Sequence, residues 1–155
     1  MSELQVFNSP LEVGIRILVV LNAFRETAND LDKLVYMDYF LIHSGDLKDG
    51  PESIHPPSPF RVGELAVKRD ILKKSLQILH KKSLVDVIFD KKGIFYKSSE
   101  SGTELVDGLV STYCDKLKDR AFWLASKFKD SPESDFRQYI SDNTENLNFE
   151  FFKKR

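Results

Sequence analysis

Apolar residues first recur at helical spacing from Leu11: Leu11, Ile15, Leu18, Val19 and Leu21 fall along one face that runs to about Phe24. Ser9-Pro10 ahead of them suits an N-cap followed by a first-turn proline, and Glu12 complements the positive helix start and can close a capping box. Gly14 inside this stretch costs about 1 kcal/mol relative to alanine, which points to close packing there. Asn29-Asp30 caps a second predicted helix from Leu31 to about His43, with Leu34, Val35, Asp38, Tyr39 and Ile42 on one stripe and Gly45 as its stop. A third runs from Arg61 to about Lys82, turning Val62, Leu65, Ile71, Leu72, Leu76 and Leu79 toward a core.

Beyond Ser83 the period changes from helical to alternating. Leu84 to Asp90 reads as a strand, Lys91-Lys92-Gly93 as a short turn, and Ile94 to Lys97 as the returning strand of a hairpin. Three helices and then a hairpin with a basic tip is the order of a winged helix-turn-helix. A single long helix is expected next, from about Thr103 to Lys129, then a shorter one from Ser131 to about Ile140. The predicted fold is therefore mainly α with a small β-hairpin. A winged-helix-like domain occupies residues 1–100 with an inserted loop at 44–60, and a C-terminal helical extension, 101–155, packs on it.

The inserted loop holds two glycines and four prolines, so it cannot be helical throughout. Its length is excessive for a passive connector, which marks it as a functional or a mobile segment. His43, Asp46, Glu52 and His55 lie in or beside it. Two imidazoles and two carboxylates have the chemistry to bind zinc, but their spacing matches no established metal signature. The other reading is an ordered loop whose polar groups satisfy its own backbone or meet a partner. With no glycine-rich phosphate loop, no CxxC and no HExxH, no cofactor, no metal site and no enzyme activity are expected.

Charge divides the chain. Residues 1–60 carry a net −5, residues 61–97 a net +6 and residues 98–150 a net −5, with +3 in the last three positions. A basic middle between acidic flanks implies an oriented surface rather than a uniformly basic nucleic-acid binder. Arg69, Lys73 and Lys81 on the third helix and Lys91-Lys92 at the hairpin tip admit three readings: a solvated face, contacts to an acidic protein, or contacts to DNA phosphates. That helix offers few of the Asn, Gln and Arg residues that read base edges.

Phe122, Trp123 and Phe128 fit either core packing or an interface stripe. In Leu147 to Phe152, Phe149 and Phe151 alternate with Asn148 and Glu150 as in a half-buried strand, docked on the chain itself or on a partner. Cys114, the single cysteine, reads as a buried small hydrophobe. The longest apolar run, Ile17 to Leu21, is far short of a membrane span, and Met1 to Asn8 lacks the pattern of a secretory signal. The cytoplasm is the expected compartment.

Several strings carry a further likeness: Asn8-Ser9-Pro10-Leu11-Glu12-Val13-Gly14, Leu34-Val35-Tyr36-Met37-Asp38-Tyr39, His43-Ser44-Gly45-Asp46, Gly50-Pro51-Glu52-Ser53-Ile54-His55-Pro56-Pro57 and Arg61-Val62-Gly63-Glu64-Leu65, with weaker support from Arg120 to Trp123. In these residues the chain resembles the middle components of bacterial three-component ABC systems. These are small subunits that accompany an SMC- or Rad50-like ABC ATPase and an effector, often a nuclease, and Lamassu-type anti-phage and anti-plasmid systems are among them. The resemblance implies a noncatalytic subunit bridging ATPase and effector, with DNA reached through the complex and no membrane involved. It offers no active-site residues to carry over.

Overall fold

The computed structural model describes residues 9–47, 49–56 and 61–128. The first helix, α1 (Pro10–Ala23), starts where the sequence places it: the Ser9 hydroxyl oxygen accepts the Glu12 N–H at 3.2 Å. Asp30 caps α2 (Leu31–Ile42) in the same way, accepting the Lys33 N–H at 2.9 Å. A single 3-10 turn, Ser44–Asp46, follows, and then α3 (Arg61–Lys81). Ser83 stops α3 by entering the left-handed region at φ 59°, which lets the Leu84 N–H reach the Leu79 carbonyl at 2.9 Å in a Schellman-type ending.

The hairpin consists of β1 (Val85–Asp90) and β2 (Gly93–Ser98), antiparallel, in a register from Val85 opposite Ser98 to Asp90 opposite Gly93. Lys91 and Lys92 form the two-residue turn, tightened by the Lys92 N–H donating to the Asp90 carboxylate at 2.6 Å. The link between α1 and α2 adds a third, minimal strand: Asn29 exchanges both backbone hydrogen bonds with Tyr96 of β2. The molecule is thus mainly helical with a small hairpin in the order of a winged helix-turn-helix.

After β2 the structure departs from the single long helix expected from the sequence. There are two helices, α4 (Glu100–Gly108) and α5 (Thr112–Phe128), broken where Leu109 turns extended and Ser111 restarts the chain by accepting the Cys114 N–H at 3.0 Å. Gly108, a weak helix former, and Ser111, a ready N-cap, are the local signals of the break. At the start of α4, Gly102 is required: a Cβ there would lie 2.1 Å from the Leu84 carbonyl oxygen. Gly14 is different. It is buried against Leu79, but a Cβ would sit 3.7 Å away in ordinary contact, so tight packing does not demand glycine there.

The layer formed by α1 and α2 is the heart of the fold. Both helices pack on α3 and on α5, and their apolar residues join those of the other helices and Val85 in one core cluster. Residues 33–43 are buried without interruption, which is why α2 shows no clean polar face. Phe128 and Leu124 enter the core, whereas Phe122 stands out from it and Cys114 is half-buried rather than buried. No helix among the described residues is long and apolar enough to cross a membrane. The expected helix from Ser131 and the segment from Leu147 to Phe152 lie outside the described residues.

Candidate functional site

Arg16 sits on α1 between Ile15 and Ile17, with its side chain fully buried in the layer it shares with α2. Its guanidinium grips Asp38 of α2 with both prongs, Nε to Oδ1 at 2.8 Å and Nη2 to Oδ2 at 3.0 Å. The Lys68 ammonium of α3 donates to the same Oδ2 at 2.6 Å. One carboxylate therefore ties three helices together. Burial opposes the charge on Asp38, but Arg16 and Lys68 overcome it and hold the carboxyl well below the usual carboxylate range. Burial likewise opposes the charge on Arg16, and Asp38 and then Glu12 more than compensate, so its guanidinium is held more firmly protonated than usual.

The network continues outward. Glu12, one turn before Arg16 on α1, lies 3.6 Å from Nη1 and accepts the Tyr113 hydroxyl hydrogen from α5 at 2.7 Å. The two cations Arg16 and Lys68 are thus matched by the two carboxylates Asp38 and Glu12, the condition under which buried charge is tolerable. The Tyr113 oxygen also lies 2.6 Å from Nε2 of His55. Because Tyr113 spends its hydrogen on Glu12, His55 must carry the proton on Nε2 and donate to the phenol oxygen. Burial, together with the positive charges of Arg16 and Lys68, pushes His55 down to about 4, so the ring is neutral at pH 7. Burial and the bond to Glu12 push the Tyr113 phenol well above its ordinary value.

The segment after α2 folds back on the helix that precedes it. The N–H groups of Ile54 and His55 both reach the Ile42 carbonyl, at 3.0 and 2.9 Å. The Ser44 hydroxyl lies 2.9 Å from the Pro51 carbonyl and 3.2 Å from that of Glu52, and the Gly45 N–H donates to Ser53 Oγ at 2.9 Å. Gly50 lies so close to Ser44 that a Cβ would come 2.0 Å from the Ser44 carbonyl oxygen. Tyr39 donates to Asp46 at 2.7 Å, and Arg120 of α5 donates to the Glu52 carbonyl at 3.0 Å. Residues 43–47 and 49–56 therefore form a shaped ridge, tied to α2 by backbone bonds and to α5 by Arg120 and Tyr113.

The four loop candidates from the sequence do not share one environment. His43 and His55 are buried with ring centroids 6.4 Å apart, Asp46 is half-buried on Tyr39, and Glu52 is exposed. Among the described residues no group of three or more His, Cys, Asp or Glu side chains is gathered closely enough to hold a metal ion. Of the basic candidates, Arg69 is half-exposed and paired with Asp32 of α2, while Lys73, Lys81, Lys91 and Lys92 are exposed. Phe149 and Phe151 lie outside the described residues. A cleft of about 420 Å³ between the end of α1, α4 and α5 is lined by Asn22, Phe24, Lys118 and Phe122 among others, and by none of these candidates.

The residues that organise the ridge from beneath, Arg16, Lys68 and Tyr113, were not among the candidates. Their signal is present in the sequence: Arg16 interrupts the apolar run of α1, and Lys68 stands between Leu65 and Leu72 on the core stripe of α3. A charge at a core position demands a buried counter-charge.

Comparison with known proteins adds one finding. Residues 6–150 match the family model described as ABC-three component (ABC-3C) system Middle Component 2. No curated protein and no solved structure matches the chain.

Proposed function

The chain belongs to the Middle Component 2 family of ABC-three component systems, and from that premise we propose that it is a noncatalytic assembly subunit joining the ATPase of such a system to its effector. The fuller reading is a cytoplasmic anti-phage or anti-plasmid complex of Lamassu type around an SMC-like ATPase. One observation supports an assembly role above others: the ridge at 43–47 and 49–56 is held rigid from below while Gly45, Asp49, Glu52 and Pro56 face outward. A surface whose shape is set before contact loses little conformational entropy on binding. The ionisable groups beneath it are engaged with one another, and their work is to hold that shape.

The experiment is co-expression with the ATPase and effector encoded beside the gene, followed by affinity capture. Glu52→Ala should leave the isolated protein folded and reduce recovery of the partners. Undiminished recovery, with undiminished defence in cells, would remove the ridge from the assembly.

A second reading, a winged-helix transcription regulator, is favoured by a different observation. Lys73, Lys81, Lys91 and Lys92 are exposed on α3 and at the hairpin tip, and none forms an ion pair among the described residues. Replacing Lys73, Lys91 and Lys92 by glutamate should weaken DNA binding on any sequence if these contacts are only to phosphates. Strong discrimination between its own promoter and unrelated DNA would instead support the regulator.

A further inference from the structure

The hairpin face that packs on the core runs out beyond it. Along β1, Val85 is 2% exposed, Val87 is half-buried and Phe89 is 74% exposed. On the same face of β2, Tyr96 packs against the core, while Ile94, paired with Phe89, is 47% exposed. The other face of the tip carries Ile88 opposite Phe95, the first exposed and the second half-buried. At roughly 3.3 Å per residue, β1 carries the turn about 13 Å past Val87. Single exposed apolar residues are ordinary, but two adjacent cross-strand pairs around the end of one ribbon form a contiguous contact surface.

Ahead of these pairs, at the leading end, stand Lys91 and Lys92, both exposed and without an ion pair among the described residues. Asp90 is engaged with the turn itself through the Lys92 N–H. The order from the tip backward is therefore cations first and an apolar girdle second, and this order selects the occupant. A lipid surface needs the reverse, because the two ammonium groups would enter hydrocarbon before the apolar pairs reached it. A DNA groove matches the lysines, but it offers phosphates and polar base edges to Phe89, Ile94 and Ile88, and its phosphates repel Asp86 and Asp90. A protein cleft with apolar walls and carboxylates at a solvated far end satisfies both parts of the tip.

We propose that the hairpin tip is a plug that docks into such a cleft on one of the two other proteins of the system. The inference rests on the assembly reading above and adds to it a second contact of different chemistry. Its place in the fold suits a bridging subunit. The hairpin is joined to the start of α2 by the exchange between Asn29 and Tyr96, whereas the ridge is bonded to Ile42 at the other end of that helix. Twelve residues of α2 separate the two by about 18 Å along the helix. A protein seated on the tip therefore leaves the ridge open to a different one.

Pairwise co-expression of the full chain with the ATPase and with the effector encoded beside it tests this, using Phe89→Thr combined with Ile94→Thr. Threonine keeps the strand preference of both positions and removes most of their apolar surface. The isolated variant should melt at the temperature of the natural protein, because a free tip supports nothing else in the chain. Its affinity for one component should fall by about tenfold or more, with the other unaffected. Lys91→Glu with Lys92→Glu should weaken the same pair, and the loss should shrink as salt is added. A lowered melting temperature overturns the proposal, since the tip would then be covered by the chain itself. Natural recovery of both components by the threonine variant also overturns it and leaves the assembly reading standing, whereas a natural chain that captures neither component ends both. Full recovery of both proteins by the glutamate variant, with DNA affinity lost, would assign the tip to phosphates instead.

Discussion

Tyr113 of α5 donates its hydroxyl hydrogen to Glu12 of α1 at 2.7 Å, joining the last described helix to the first. The same oxygen receives the proton carried by Nε2 of His55, so one phenol sets the tautomer of a histidine in the ridge and holds a carboxylate beside Arg16. The ridge is thereby coupled to the ion network in the core. Its shape depends on residues far from it in sequence.

Tyr113→Phe keeps the ring and removes the oxygen. Glu12 loses a donor and His55 an acceptor, both partly or wholly out of water. Leaving such groups unsatisfied costs about 1–3 kcal/mol, which urea unfolding will resolve. An unchanged unfolding midpoint would show that the hydroxyl contributes nothing at this junction.

Asp38 is the centre of the core network. Asp38→Asn keeps the shape but strands Arg16 and Lys68 in the interior, and breaking a buried pair in this way costs about 3–5 kcal/mol. Replacing all three groups together, Arg16→Met, Asp38→Leu and Lys68→Met, should recover most of that loss, because an apolar set needs no counter-charge. The sign with pH follows from the lowered carboxyl. Its stabilisation is complete above the ordinary carboxylate value, about 4, and is lost as pH falls through the lower folded value. If Asp38→Asn matched the natural protein in urea at pH 7, the network would be ornamental.

His55 makes the opposite statement. It is held at about 4 in the folded chain against an ordinary value of 6.5, so between these values the unfolded chain binds the extra proton. Stability should be flat above pH 6.5 and decline from there toward pH 4. His55→Gln keeps a side-chain N–H for Tyr113 and cannot take up that proton. Melting temperatures recorded across pH 4–8 should then decline less steeply for the variant than for the natural protein. Parallel curves would mean that His55 does not carry the pH dependence.

What could be read in the sequence is what short range determines. Ser9 and Asp30 cap their helices because a side-chain oxygen meets an N–H three residues on, and the hairpin follows from alternation on either side of Lys91-Lys92. The break at Leu109–Ser111 was hidden by apolar residues on both sides that individually suit a helix. Partners across the chain were hidden more deeply. Asp38 stood visibly on an apolar stripe, but periodicity says which face is buried and not what meets it, and its partners lie 22 and 30 residues away. Proximity in sequence groups His55 with Asp46 and Glu52, whereas Tyr113, to which it hydrogen-bonds, is 58 residues distant. The exchange between Asn29 and Tyr96 involves a single residue in a link, too short to leave a pattern.

The ridge allows shape and contact to be tested apart. Gly50 touches no outside group in this reading, but an added Cβ would collide with the Ser44 and Leu47 carbonyl oxygens, at 2.0 and 3.0 Å. The neighbours are backbone, which cannot swing aside, so Gly50→Ala must displace the ridge at a cost of about 1–3 kcal/mol, typical of overpacking. Glu52→Ala does the reverse. The Glu52 side chain is exposed and its anchoring bonds, from Ser44 and Arg120, go to the backbone carbonyl, so stability should stay within about 0.5 kcal/mol. If partners read a preformed ridge, both variants lose affinity in the same capture assay, one through shape and the other through a contact. Hydrogen exchange of the isolated protein should show faster exchange at Gly45, Ile54 and His55 in Gly50→Ala and no change in Glu52→Ala. Normal capture by Gly50→Ala, with its ridge demonstrably loosened, would mean that partners recognise another face of the molecule.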